Sequence, residues 1–159
     1  MKQARGRILV VDDDRATCEV LEEGLGVRGF HVGSTTQPDV AVSKLAGDAR
    51  WDVLLTDLRM GRTNGLDLCR RIVEADPNLP VIVITAFGSI QSAIESIRAG
   101  AYDFITKPFD LDAVGLALDR AVAHRQLRLE VSRLRSEVER DPVGPSLGES
   151  APIRRVDEL

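Results

Sequence analysis

Ionisable side chains fall where short apolar runs stop. Asp12, Asp13 and Asp14 follow Ile8-Leu9-Val10-Val11, and Asp57 follows Leu54-Leu55-Thr56. Thr85 closes Val81-Ile82-Val83-Ile84, and Lys107 comes shortly after Tyr102-Asp103-Phe104-Ile105. If these runs are parallel strands, their ends share one edge, which then gathers at least three carboxylates, a hydroxyl and an ammonium. Carboxylates held together repel unless they take up protons or bind a cation. Oxygen donors without His or Cys suit a hard ion, Mg2+ before Zn2+. A carboxylate beside such an ion can attack phosphorus, while metal, lysine and hydroxyl neutralise charge on the group in transfer. Singly, each residue has a plainer role: Asp14 as a helix cap, Thr85 in a turn, Lys107 as a solvated cation. Their joint placement points to a site.

The elements that would position them are legible as patterns. The four runs are continuous rather than alternating, as expected for strands covered on both faces. Phe30 to Thr35 is a fifth candidate. Between them lie helical patterns: Val20, Leu21, Gly24 and Leu25; Pro38 to Ala46; Leu66, Cys69, Ile72 and Val73. The clearest stripe is Ile90, Ala93, Ile94 and Ile97, closed by Gly100 as a C-cap. Alternating strands and helices predict a parallel sheet covered on both faces, with its functional crevice at the carboxyl ends of the strands.

The last helix starts near Asp110 and meets no stop before Asp141-Pro142. Leu127, Val131, Leu134 and Val138 are spaced 4, 3, 4, a heptad seam. With Leu127 and Leu134 at d, Glu130 would face Arg135 of a parallel partner, so the pattern suggests a coiled-coil dimer; a solvated helix with a chance stripe is the alternative. Residues 141–150 are rich in Pro, Gly and Ser and read as linker.

With 159 residues the chain has room for one ordinary domain and a tail. Its net charge of −4 excludes a broad basic footprint, so direct nucleic-acid binding is not expected. Residues 1–119 carry 13 Lys/Arg against 18 Asp/Glu and residues 120–159 carry 8 against 7, so the acidity belongs to the globular part. Cys18 and Cys69 form no CxxC pair and read as packing residues of helices. His31 and His124 read as remote from the acidic cluster, and Trp51 precedes the third strand, where it could report on the site. No apolar run suggests a membrane span or a signal-peptide core, so a soluble, cytoplasmic protein without membrane partners is expected.

In ILVVDDD (8–14), LLTDLRM (54–60), VIVITAF (81–87) and AYDFITKPF (101–109) the chain resembles the receiver domain of two-component response regulators, over about residues 6–122. The resemblance implies a flavodoxin-like (βα)5 doubly wound sheet, strand order 2-1-3-4-5, here with an extended C-terminal helix. It implies a switch that accepts a phosphoryl group from a histidine kinase and promotes its own phosphorylation and dephosphorylation, not an enzyme with a separate substrate. Asp57 would be the phosphoacceptor. Mg2+ would be bound by Asp13 directly, by Asp12 mainly through water, by Asp57, and by the backbone carbonyl of Arg59. Lys107 would pair with a phosphoryl oxygen and Thr85 would hydrogen-bond the attached group, with small Ala86 leaving room for Thr85 to move. Phe104 takes the aromatic switch position, Arg59 and Phe87 would flank the site, and Lys107-Pro108 would be a cis peptide. The family usually has Pro after the methionine of DxxMP; here Gly61 follows Met60, implying a more flexible metal loop.

AFGSIQSAIESIRAGAYDFITKPFDLD, with the long helix after it, is similar to regulators that activate sigma-54 RNA polymerase, and residues 147–156 are similar to the opening of their AAA+ ATPase domain. This implies a receiver at 6–122, a helical coiled-coil linker at 123–140, and at 141–159 a flexible linker with the start of an AAA+ domain. The ATPase and DNA-binding domains would belong to a full-length protein. Phosphorylation would change the face made by the fourth helix, fifth strand and last helix, either building or disrupting the dimer.

Three other readings compete. A haloacid-dehalogenase-like phosphatase needs an acid/base aspartate two residues beyond the nucleophile, where this chain has Arg59. A flavodoxin-like module for a nucleotide or flavin would cradle phosphate after the first strand, where the aspartates would repel it. A degenerate receiver would act only as a dimerisation module.

Overall fold

The computed structural model describes residues 5–60, 63–86 and 89–140. Gly61, Phe87 and the linker and AAA+ expectations on 141–159 lie outside the described residues. Five parallel strands form the sheet: β1 (Arg7–Val11), β2 (His31–Thr35), β3 (Val53–Asp57), β4 (Val81–Thr85) and β5 (Asp103–Thr106). Their order is β2-β1-β3-β4-β5, the doubly wound order the resemblance implies. Between them run α1 (Arg15–Val27), α2 (Pro38–Ala46), α3 (Gly65–Ala75) and α4 (Ile90–Arg98), and α5 (Leu111–Arg140) follows β5. A two-residue antiparallel pair, Arg59–Met60 with Thr63–Asn64, follows β3 and has no counterpart in the sequence patterns.

Alternate residues of each central strand go to opposite layers. Leu9, Val11, Leu54, Val81 and Val83 pack with residues of α2 and α3, whereas Ile8, Val10, Leu55, Ile82 and Ile84 pack with α1 and the first part of α5. Continuous apolar strands follow from this two-sided burial. Each fully buried Leu, Ile or Val contributes roughly 1.5–3 kcal/mol.

Two helices differ from their sequence patterns. In α1, Cys18, Leu21 and Leu25 are buried while Val20 is half exposed, so the inward face is turned from the expected one. In α4 the isoleucine stripe points outward: Ile90 is 81% and Ile97 53% exposed, and the buried residue is Ser96. Ser96 fits inside because its Oγ donates to the Ser92 carbonyl at 2.9 Å, leaving no unsatisfied hydroxyl. Small residues on that face let the helix approach the sheet, and bulkier isoleucines are left outside. Gly100 has φ +102°, the left-handed conformation that ends the helix as expected.

The described residues divide into two compact units, one ending at residue 126 and the other beginning at residue 127. Within the second, Leu127, Val131, Leu134 and Val138 are all exposed. Arg133 pairs with Glu130 and with Glu137 (2.6 Å), so Glu130, expected to face Arg135 of a partner, has a partner within its own helix. Among the described residues, no helix is long and apolar enough to cross a membrane.

Candidate functional site

The sheet order reverses at β1, which pairs with β2 on one side and β3 on the other. The carboxyl ends of β1 and β3 therefore open the crevice expected at such a switch point. Asp12 follows β1 and Asp57 ends β3. Asp12 is 1% exposed, Asp57 is buried and Asp13 is exposed. One carboxylate oxygen from each of the three lies within 4.8 Å of the others.

One cation lies between the two buried carboxylates. Lys107 Nζ donates to Asp12 Oδ2 at 3.0 Å and to Asp57 Oδ2 at 3.3 Å. Its backbone is anchored by Lys107 N donating to the Thr85 carbonyl at 2.8 Å, which ties the end of β5 to that of β4. The Lys107–Pro108 peptide is cis, as the resemblance implies. The other Asp12 oxygen, Oδ1, accepts from Asp14 N at 2.9 Å. Asp57 Oδ1 accepts from Arg59 N at 3.4 Å. Thr85 is fully buried at the end of β4, and Phe104 is half-buried against the layer containing α2 and α3.

Burial raises the Asp12 pKa above the ordinary carboxylate range; the Asp14 N–H and Lys107 oppose the shift and the Asp57 charge adds to it. Burial acts against the Lys107 charge, but hydrogen bonds and attraction to Asp12 and Asp57 outweigh it and raise its pKa. The crevice thus holds more negative charge than its lysine compensates. An oxygen-only donor set, partly buried and short of positive charge, fits a hard divalent cation.

Asp14 caps α1, its carboxylate accepting from Ala16 N and the Thr17 hydroxyl, both at 3.0 Å. Cys18 and Cys69 are buried, with Cys69 pushed up to about 11 by burial. His124 stacks on Tyr102 and His31 opens β2, each away from the carboxylates in the fold. Trp51 sits at the amino end of β3, opposite Asp57 along the strand.

Sequence patterns did not single out Gly65 as a supporting residue. A Cβ built there would lie 2.1 Å from the Asp57 carbonyl oxygen, and Gly65 N donates to the Leu58 carbonyl at 2.7 Å. The start of α3 therefore presses directly against the backbone carrying Asp57. The Asn64-Gly65 pair was the available signal, since Asn64 caps α3 by accepting from Leu66 N.

The response regulator receiver domain family matches residues 8–119. The chain is 39% identical over 153 residues to the response regulator protein PilR of Pseudomonas aeruginosa, covering 95% of this chain and 32% of that protein. It is 35% identical over 150 residues to the C4-dicarboxylate transport transcriptional regulatory protein DctD of Rhizobium meliloti, covering 94% and 32% respectively. A crystal structure of NtrX from Brucella abortus superimposes with a TM-score of 0.74 at 35% identity, covering 89% of this chain and 32% of that one. The chain thus spans about a third of the length of these relatives. Because the match runs from β1 into α5 and takes in the whole acidic crevice, the chain belongs to the response regulator receiver domain family.

Proposed function

We propose that this chain is a phosphorylation-activated switch in which Asp57 accepts a phosphoryl group from a histidine kinase. The observation that carries this reading is Lys107 Nζ lying within 3.3 Å of both Asp12 and Asp57, two of three carboxylates gathered within 4.8 Å of one another. An Asp57 oxygen forms the new bond to phosphorus as the bond to the donor's leaving group breaks, giving an acyl phosphate. Asp12, Asp13, Asp57 and the Arg59 carbonyl would hold Mg2+, which when bound supplies positive charge to carboxylates and phosphoryl oxygens alike. Lys107 pairs with a phosphoryl oxygen, and the Thr85 hydroxyl donates to another.

Ordinary phospho side chains add roughly −1.5 to −2 charge and new acceptors. Thr85 moves inward toward them and Phe104 follows. Driving such an equilibrium from 1:99 to 99:1 needs about 5.5 kcal/mol. A few hydrogen bonds to charged groups, about 1.5–3 kcal/mol each, suffice. The face of α4, β5 and α5 then changes and carries the signal into the dimer formed along Leu127, Val131, Leu134 and Val138. In this reading residues 6–122 are the receiver, 123–140 a coiled-coil linker and 141–159 the approach to an AAA+ domain. The regulated output is a sigma-54 activator ATPase with its DNA-binding domain. Relatedness to PilR, DctD and NtrX over a third of their lengths supports that architecture.

Intact mass after incubation with Mg2+ and a small-molecule phosphodonor tests the chemistry. One phosphoryl group gained by the wild type and none by Asp57→Asn is the expected result. Equal gain in both overturns the assignment of Asp57. No gain from either the small donor or the cognate kinase favours a degenerate receiver.

A further inference from the structure

A second cleft lies away from the acidic crevice, at the end of the sheet where β3 begins. It is about 560 Å³ in volume, within the usual range for small-molecule sites. Its apolar wall comes from the ends of α2 and α3, including Val42, Leu45 and Ile72. Trp51, Arg71 and Arg125 supply its polar donors, and Asp76 is its carboxylate.

The donors and acceptors do not balance. Trp51 and Arg125 are each only 8% exposed, yet Trp51 Nε1 and Arg125 Nε are buried with no hydrogen-bond partner among the described residues. The nearest carboxylate oxygen paired with Arg125 Nε, Asp52 Oδ1, stands at 3.9 Å, beyond hydrogen-bonding distance. Asp76 is already engaged: Oδ2 accepts from Arg125 Nη1 at 3.3 Å and Oδ1 from Asn78 N at 3.1 Å. Arg71 is exposed at the rim and makes no ion pair among the described residues. Two residues that carry orphan donors, and one cation without an ion pair among the described residues, thus line an apolar cavity whose carboxylate is taken. Buried polar groups left without partners are rare, and each asks for an acceptor.

We propose that this cleft binds a small organic anion, with an apolar body against Leu45 and Ile72 and a carboxylate accepting from Arg71 and from the Trp51 and Arg125 donors. Neither orphan nitrogen is open at the surface, so the indole or guanidinium turns as the acceptor enters. The cleft shares no residue with the acidic crevice, and its occupancy is independent of Asp57.

Trp51 is the single tryptophan of the chain, so its indole N–H is a unique reporter. The 159-residue protein, labelled with nitrogen-15, is titrated with cinnamate and, separately, with the uncharged isostere cinnamamide. The expected result is a saturable shift of the Trp51 indole resonance with cinnamate, at an affinity about tenfold above that of the amide, as a charged hydrogen bond predicts. Arg71→Gln, at an exposed position, removes most of that preference. Ala75→Phe, at an exposed position lining the cleft, blocks both probes. Asp57→Asn leaves binding unchanged, which separates this site from the phosphoacceptor. No saturable shift with cinnamate, equal affinity for the amide, or an unaltered preference in Arg71→Gln would overturn the proposal. So would indole shifts that depend on protein concentration without probe, which assign the cleft to a second copy of the chain.

Discussion

At the carboxyl edge of the sheet Asp12 is 1% exposed, and both of its oxygens have donors, Asp14 N and Lys107 Nζ. At the amino edge Arg125 is 8% exposed, and its Nε has no acceptor among the described residues; the neighbouring Trp51 Nε1 has none there either. Among the described residues, one edge crowds acceptors around Lys107, and the other crowds donors around Asp76, whose oxygens are occupied. A cation relieves the first imbalance and an anion the second. Both edges serve the same strands, so the strand interior supplies rigidity while the loops decide the sign of charge each end receives.

The carboxyl edge breaks most readily at Gly65. Gly65→Ala places a methyl group where the Asp57 carbonyl oxygen stands 2.1 Å from the ideal Cβ. Overpacking of this kind costs about 3 kcal/mol in urea unfolding, and the displaced Asp57 backbone should slow phosphorylation. Lost stability with an unchanged phosphorylation rate would show that Gly65 serves packing alone.

Asp57→Asn tests the imbalance of charge. At an effective dielectric of 20, Asp12 and Asp13 within 4.8 Å together repel Asp57 by at least about 7 kcal/mol, against about 5 kcal/mol of attraction to Lys107 at 3.3 Å. Screening at exposed Asp13 reduces the difference, so without divalent cation the variant should gain about 1 kcal/mol in denaturant unfolding. Mg2+ should raise the midpoint of the wild type more than that of the variant. A destabilised variant in the absence of Mg2+ would mean that attraction to Lys107 dominates.

At the amino edge Trp51→Phe deletes an unpaired indole N–H. Relief of that burial offsets lost ring contacts, and stability should fall by less than about 1 kcal/mol. A loss of several kcal/mol would reveal an acceptor for Nε1 and remove the contrast between the edges.

The smallest effect is alkaline. The folded pKa of Lys107 lies above its ordinary 10.5. The folded state therefore holds this proton more tightly, and the resulting stability is present below about pH 10.5 and lost as pH rises through the folded value. Asp12→Asn should flatten this alkaline decline, and Trp51→Phe should not change it. Unfolding midpoints across that window distinguish the two edges.

Much of the site was legible because strand ends are legible. An apolar run that stops at Asp12, at Asp57 or at Thr85 announces both its burial and its edge. Burial on one particular face was harder. The Ile90, Ile94 and Ile97 stripe has strong helical spacing, yet the sheet receives Ser96 and the small residues beside it. Periodicity reports that a face exists; the space beneath the helix decides which face enters. Gly65 was missed for a related reason, since the close approach it permits is to Asp57, whose position relative to α3 depends on the whole loop.

The sequence by itself determined the alternation of strands and helices, the Asp14 cap and which residue types terminate each strand, because these depend on local propensity and two-sided burial. The resemblance supplied the strand order that the fold then displayed. Only the tertiary structure decided that Lys107, 95 positions from Asp12, stands between Asp12 and Asp57. It alone decided that Trp51 and Arg125 meet around a cleft with unmatched donors. Those pairings join residues far apart in the chain, and the geometry of the folded sheet, not local spacing, sets the distance between them.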